Sequence, residues 1–315
     1  MTLPAASALT QYVEAPAVKK LDLSEAGMAR LIAFGEGQRQ RYLNNSPFPH
    51  LAIDNLFPDD LLADVLADVR SLDCHNAKSL YDSAKQNPMP DPQAMGPTAQ
   101  RFLLDLCSAR FCQFLEALTG IEGIIPDPHF EDGGVRQMSR GGFLKMHTAS
   151  HGNKKLKLDR RLNVLIYLNQ DWEENWGGHL ELWDSERQSQ LIKIPPVFNK
   201  TVIFSTTDHS YHGYPNPLEC PEGVSRRSLA LFYYSNGRPL EEVQFFQGVG
   251  TNYQERSSET FLPPQKLSRG PSQRPFYEPR RKARTLQQSV KKQIKKKLPK
   301  PLIEIYKAGK RSLRG

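Results

Sequence analysis

Long apolar runs are missing from this chain of 315 residues. No stretch approaches the ~18 consecutive apolar residues of a membrane helix, so no transmembrane segment is expected. The opening MTLPAASALTQYVEAPAVKKLDLSEAG also lacks the apolar core of an export signal. Cysteine is scarce: Cys74, Cys107, Cys112 and Cys220 are scattered and show no CxxC spacing. That pattern argues against a disulfide frame or a structural zinc site and for free thiols in a reducing compartment, with cytoplasmic location as the default. Internal repeats are absent too. What is present, 38% hydrophobic and 9% aromatic residues, suffices for a globular body of one elaborated domain or two small ones.

Acidic residues are nearly missing from one segment. Residues 265–315 hold 17 Lys and Arg against only Glu278 and Glu304, a net +15. The whole chain carries +8, so the remainder carries −7. A mildly acidic body with a basic, partly helical or disordered tail is expected, the tail being either a solvated extension or a weak contact for an anionic partner or surface. No RNA- or DNA-binding motif accompanies the charge. Residues 1–20, punctuated by Ala and Pro, are expected to be loose.

Between these ends the pattern is helical first and extended afterwards. LSEAGMARLIAFGEGQRQRYLNN has helical spacing with Ser24 as N-cap. SPFPHLAIDNLF reads as extended, and PDDLLADVLADVRSL as a helix opened by Pro58 with two Asp residues in its first turn. Residues 75–96 form a long loop suited to a lid, and helical character returns over 97–119, ending at Gly120. From about 126 come short β-branched and aromatic runs bounded by turn residues: GGVRQMS, GFLKMHTA, RLNVLIYLN, GGHLELWD, QLIKIP, TVIFST and RRSLALFYYS. The fold class is α+β with a mainly β core, an antiparallel sandwich with a helical layer on one face.

Strand alternation brings candidate groups together. In GFLKMHTASH, His147, Ala149 and His151 share a face. TVIFSTTDHSYHGYP puts a strand just before His212, and SRRSLALFYYS places Arg226 and Ser228 on one face, Arg227 on the other. Two histidines with a nearby arginine can hold a metal and an anion.

This ordered set, HTA, LNVLIYLNQDW, GGHLELWD, SYHG and RRSLALFYYS, resembles the iron(II)/2-oxoglutarate-dependent oxygenases of the prolyl-4-hydroxylase type, and PFPHLAIDNLF resembles the same family upstream. The resemblance implies a double-stranded β-helix, or jelly roll, within an oxygenase domain spanning 21–264 with its core at 126–240. It implies His147 and His212 as Fe(II) ligands and Arg226 as partner of the distal 2-oxoglutarate carboxylate. Ser228 and Tyr167 would support that carboxylate, and Asn163 and Leu165 would line the same pocket. The cosubstrates would be 2-oxoglutarate and O2.

One position departs from the family. Its facial triad is two His and a carboxylate, and here Ala149 stands where the carboxylate belongs. Radical halogenases of the superfamily carry Ala or Gly there, so the leading expectation is a halogenase chlorinating an unactivated C–H of a small molecule, with chloride at the vacated position. The alternatives are a dioxygenase of the prolyl-4-hydroxylase type and a catalytically inactive binding protein. His151 reaches the metal only across a bulge, His209 lines the mouth, and Glu181 and Asp184 need unusual sheet geometry. KKLKLDRR reads first as a solvated strand approach and second as an attractor for an anionic substrate.

Overall fold

The computed structural model describes residues 24–70, 72, 94–130, 133–149, 152–153, 156–184 and 191–239, with short strands at 13–14, 84–85 and 252–254. The proposed lid loop falls largely outside these residues, and His151 and the basic tail fall entirely outside them.

Helix α1 spans Glu25–Asn44, and the Ser24 hydroxyl accepts from Gly27 N at 3.2 Å as expected for its N-cap. Helix α2, Asp59–Arg70, follows Pro58 and buries Leu62, Val65, Leu66 and Val69, one stripe at helical spacing. The helical stretch after Gly96 is two helices rather than one, α3 at Pro97–Leu106 and α4 at Ala109–Thr119. Cys107 leaves helical geometry at φ −86 and ψ 0. Ser108 then caps a new start by accepting from Phe111 N at 3.3 Å. Gly120 ends α4 in the left-handed region, φ 74, where a side chain would be strained.

The strands are β1 Val13–Glu14, β2 His50–Asp54, β3 Ala84–Lys85, β4 Ile125–Pro126, β5 Gly134–Ser139, β6 Phe143–Thr148, β7 Gly152–Asn153 and β8 Leu158–Tyr167. They continue with β9 Leu180–Asp184, β10 Leu191–Ile194, β11 Lys200–Ser205, β12 Ser210–Tyr214, β13 Ser225–Ser235 and β14 Asn252–Gln254. All seven runs expected to be extended are strands. His212 is a correction: it lies inside β12, not after a strand.

One sheet runs β1-β2-β11-β8-β13-β4, with β5 on β13 and β7 on β8, and the other runs β10-β9-β12-β6-β14, with β3 on β6. The pairings are antiparallel except β1 with β2. Alternation divides the larger sheet cleanly. Leu51, Ile53, Leu162, Val164, Ile166, Ile203, Leu229 and Leu231 pack on the helices, where Phe102, Phe111 and Phe114 are buried. Ala52, Leu165, Tyr167, Val202 and Phe204 face the other way, onto Leu180, Leu182 and Ile194 of the second sheet. The result is an antiparallel jelly-roll sandwich with a helical layer outside, as the sequence implied. Burying each Leu, Ile or Phe side chain contributes about 1.5–3 kcal/mol, so these two faces hold the site rigidly.

Candidate functional site

Two histidines meet across the smaller sheet. His147 on β6 and His212 on β12 are direct cross-strand partners, so their side chains share a face, with ring centroids 4.4 Å apart. Nδ1 of His147 donates to the Lys145 carbonyl at 3.0 Å, and Nδ1 of His212 donates to the Ser210 carbonyl at 3.0 Å. A carbonyl only accepts, so these bonds fix the tautomer and make Nε2 the lone-pair nitrogen on each ring, the form a metal requires. Both rings are held neutral. Burial pushes His147 down to about 4, outweighing the Lys145 carbonyl, with the Arg136 and Arg160 charges adding to the fall. His212 lies well below the usual value through burial, then through His147 and Arg160. Phe204 from the opposite sheet packs on His212 at 4.7 Å between centroids.

Ala149 follows the end of β6 and is 3% exposed. Its methyl offers nothing to a metal. Among the described residues no third His, Cys, Asp or Glu joins a metal-holding group. Glu181 pairs in register with Gly213, one step off the His212 row, and lies 3.7 Å from Lys193. His209 sits in the turn ahead of β12. The side chain of Asp184, like His151, lies outside the described residues.

On the larger sheet, Arg226 is 3% exposed. Its Nε donates to the Gly178 carbonyl at 2.9 Å and its Nη2 to the Tyr167 hydroxyl at 3.3 Å. The guanidinium lies over the rings of Tyr214 and Tyr167, at 4.3 and 5.0 Å from the centroids. A guanidinium has five N–H donors, and two are taken here. No carboxylate among the described residues pairs with it. A buried cation held by a carbonyl, a phenol and two ring faces can receive an anion brought by a ligand. Ser228 stands opposite Tyr167 on one side and Arg136 on the other, so serine, phenol and both arginines belong to one inward face. Burial raises the Tyr167 hydroxyl to about 12 despite Arg226, which keeps it a neutral donor.

These donors fit Fe(II) and 2-oxoglutarate: two lone-pair imidazoles on one wall, and a buried arginine with hydroxyl neighbours on the facing one. They do not supply a third protein ligand from the described residues.

Three contributors escaped the sequence reading. Gly178, taken only as part of GGHLELWD, has φ 73 and touches Arg226 so closely that a Cβ would stand 2.9 Å from its Cδ. Tyr214 was the Y of a YHGY run with no assigned role. Arg160 was read within a solvated KKLKLDRR approach, but Arg160 and Arg161 are both buried. A cavity of about 640 Å³, lined by residues including Trp172, His179, Glu181 and Lys193, meets the site at Gly178 and Tyr214.

Residues 133–234 match the sequence model of the 2OG-Fe(II) oxygenase superfamily. Prolyl 3-hydroxylase OGFOD1 of Mus musculus is 25% identical over 198 residues, 61% of this chain and 34% of that protein. Prolyl 3,4-dihydroxylase OGFOD1 of Ostreococcus tauri is 23% identical over 223 residues, 64% of this chain and 41% of that protein. The chain thus spans less than half the length of these curated relatives. A solved prolyl hydroxylase from Trichoplax adhaerens, in complex with a hypoxia inducible factor peptide fragment, aligns at TM-score 0.48 and 17% identity over 67% of this chain and 94% of that one. No helix among the described residues is long and apolar enough to cross a membrane. Residues 133–234, which carry the histidine pair and Arg226, are therefore similar in sequence to the 2OG-Fe(II) oxygenase superfamily and to prolyl hydroxylases.

Proposed function

We propose that the chain is an iron(II)- and 2-oxoglutarate-dependent hydroxylase acting on a prolyl or similar saturated ring carbon. The observation that carries this reading is the lone-pair imidazole pair of His147 and His212 opposite a buried arginine with no carboxylate partner among the described residues. Both curated relatives are prolyl hydroxylases, which supports oxygen transfer over the chlorination that Ala149 first suggested. When bound, iron with 2-oxoglutarate and O2 supplies the oxidation of a substrate C–H bond, with succinate and carbon dioxide as coproducts.

The protein's own part is binding and exclusion. His147 and His212 offer Nε2 to the metal, their rings oriented by the Lys145 and Ser210 carbonyls. Arg226 takes the distal carboxylate of 2-oxoglutarate through its remaining N–H groups, Tyr167 donates its hydroxyl proton to the same oxygens, and Ser228 adds a second hydroxyl. Phe204, Leu165 and Val202 keep water from the chamber between.

A second reading, halogenation, is favoured by one observation: Ala149 is buried at the carboxylate position and no other described side chain replaces it. One experiment separates the readings. The protein is supplied with Fe(II), 2-oxoglutarate, O2 and a panel of prolyl peptides and small molecules, with and without chloride. Gain of one oxygen supports hydroxylation, and exchange of hydrogen for chlorine supports the second reading. Failure to form succinate under any of these conditions would sink both and favour a binding protein on this scaffold.

A further inference from the structure

Arg160 reaches the inward face of the larger sheet through a local defect in β8. Along that strand Asn163, Leu165 and Tyr167 face inward, so strict alternation would turn residue 160 outward with Leu162. The ladder with β13 slips: Leu162 pairs with Tyr233, but Arg160 pairs with the next residue, Tyr234. Two steps on β8 against one on β13 make a β-bulge at Arg161, which flips the residue before it to the other face. The guanidinium of Arg160 accordingly lies over the Phe232 ring at 3.9 Å. Phe232, Asn163 and Phe204 form one inward row of adjacent strands, and it is Phe204 that packs on His212.

The environment of this arginine is incomplete. Arg160 is 6% exposed. Its side chain makes one hydrogen bond, Nη2 to the Tyr234 hydroxyl at a long 3.4 Å, and no carboxylate among the described residues pairs with it. Its Nε has no hydrogen-bond partner among the described residues, and neither does the buried side-chain oxygen of Asn163, on the same face. Leaving a buried cation and its N–H unsatisfied is costly, so this arrangement favours an anion within reach of the guanidinium. The row Phe232, Asn163 and Phe204 thus leads from Arg160 to His212 along the inward face, on the side where Ala149 supplies no negative charge. Arg226 is already committed to the far end of 2-oxoglutarate.

We propose that Arg160, turned inward by the bulge at Arg161, binds a compact monoanion beside the His147–His212 pair and so replaces the negative charge absent at Ala149. The inference rests on the iron and 2-oxoglutarate reading above and adds to it a ligand class. The anion is a halide from solution or the carboxylate of a substrate, and either presents the same single charge to the guanidinium.

The test uses full-length protein loaded with Co(II) and 2-oxoglutarate, whose visible absorption is titrated with sodium chloride, sodium bromide or sodium acetate at constant ionic strength. The expected result is a saturable spectral change whose apparent Kd rises by about 10- to 100-fold in Arg160→Met, the loss of one charge-assisted hydrogen-bonded pair, while 2-oxoglutarate affinity stays within a few-fold. Arg160→Lys, which keeps the charge but not the guanidinium fork, should fall between; it decides the matter if Arg160→Met does not fold. Saturation by chloride and bromide alone supports a halide site, and saturation by acetate supports a substrate carboxylate. If Co(II) and 2-oxoglutarate bind but no anion perturbs the spectrum, or if both variants respond like the parent, the proposal is overturned with the site reading intact. Absence of Co(II) and 2-oxoglutarate binding would instead overturn that reading and the proposal with it.

Discussion

Arg226 is gripped on its flat faces by Tyr214 and Tyr167 and at Nε by a backbone carbonyl, so its remaining donors point in a fixed direction. Such preorganisation makes the residue hard to replace. Arg226→Met should raise the Kd for 2-oxoglutarate by about 10- to 100-fold, the worth of a hydrogen-bonded ion pair, and Arg226→Lys should recover only part of it; calorimetric titration of the metal-loaded protein reads both. Gly178 controls the same geometry from outside. In Gly178→Ala the new methyl would meet Leu218 Cδ2 at 2.6 Å as well as Arg226, at a backbone φ of 73 that disfavours a side chain. That variant should weaken 2-oxoglutarate binding while leaving metal affinity close to the parent's, and the split between the two titrations is the diagnostic. The shared face of Arg226 and Ser228 was legible from strand alternation, whereas the roles of His147, His212 and Arg226 came only with the family resemblance. Gly178 and Tyr214 were not legible, since their role comes from contact across the fold: Gly178 lies forty-eight residues from Arg226. Arg160 misled because a single bulge reverses the parity on which strand-face reasoning depends.

Elements are joined by a few buried amides as much as by apolar faces. Asn199, 1% exposed, adopts φ 57 just before β11. Its Nδ2 donates to the Phe57 carbonyl and to Asp59 Oδ1, both at 2.6 Å, tying the start of α2 to the sheet. Asn169 does the same beyond β8, donating to the Pro196 carbonyl and accepting from Arg227 N, both at 2.6 Å. Asn199→Ala strands buried backbone groups and puts a Cβ-bearing residue without a local hydrogen bond in the left-handed region. A loss of about 2–4 kcal/mol in urea unfolding is expected, with an unchanged m-value. Helix placement was readable from caps and apolar spacing, as Ser24 and the α2 stripe show. The break between α3 and α4 was harder to see, because the apolar pattern continues through Cys107 and only the Ser108 cap marks the restart. Which strands neighbour one another was not readable at all: β8 sits between β11 and β13, an order set by crossovers that residue patterns do not encode.

At the scale of the whole molecule, the buried histidines set the response to acid. His50, His147 and His212 all titrate below the ordinary 6.5 in the fold, chiefly because burial disfavours the charged ring. Between 6.5 and those lower values the unfolded chain binds more protons than the folded one, so stability is lost as pH falls through that window. Metal-free protein should therefore lose stability from pH 7 to pH 5, with His147 alone contributing on the order of 1–2 kcal/mol, and thermal unfolding across that range is the check. A flat profile would mean that the rings are solvated and protonate freely.

The cross-strand seat of the two histidines has a mechanical side. They lie sixty-five residues apart along the chain, and β7 to β11 all fall in the loop between them. A metal on both rings would act as a clasp on β6 and β12, closing a large loop that thermal motion otherwise works to open. Loading with Co(II) or Fe(II) should then raise Tm in proportion to the logarithm of free metal, by several degrees at about 100 times Kd for a domain of this size. His212→Ala should abolish that rise. Slower hydrogen exchange confined to β6, β12 and β9 would show the clasp at the strands it fastens.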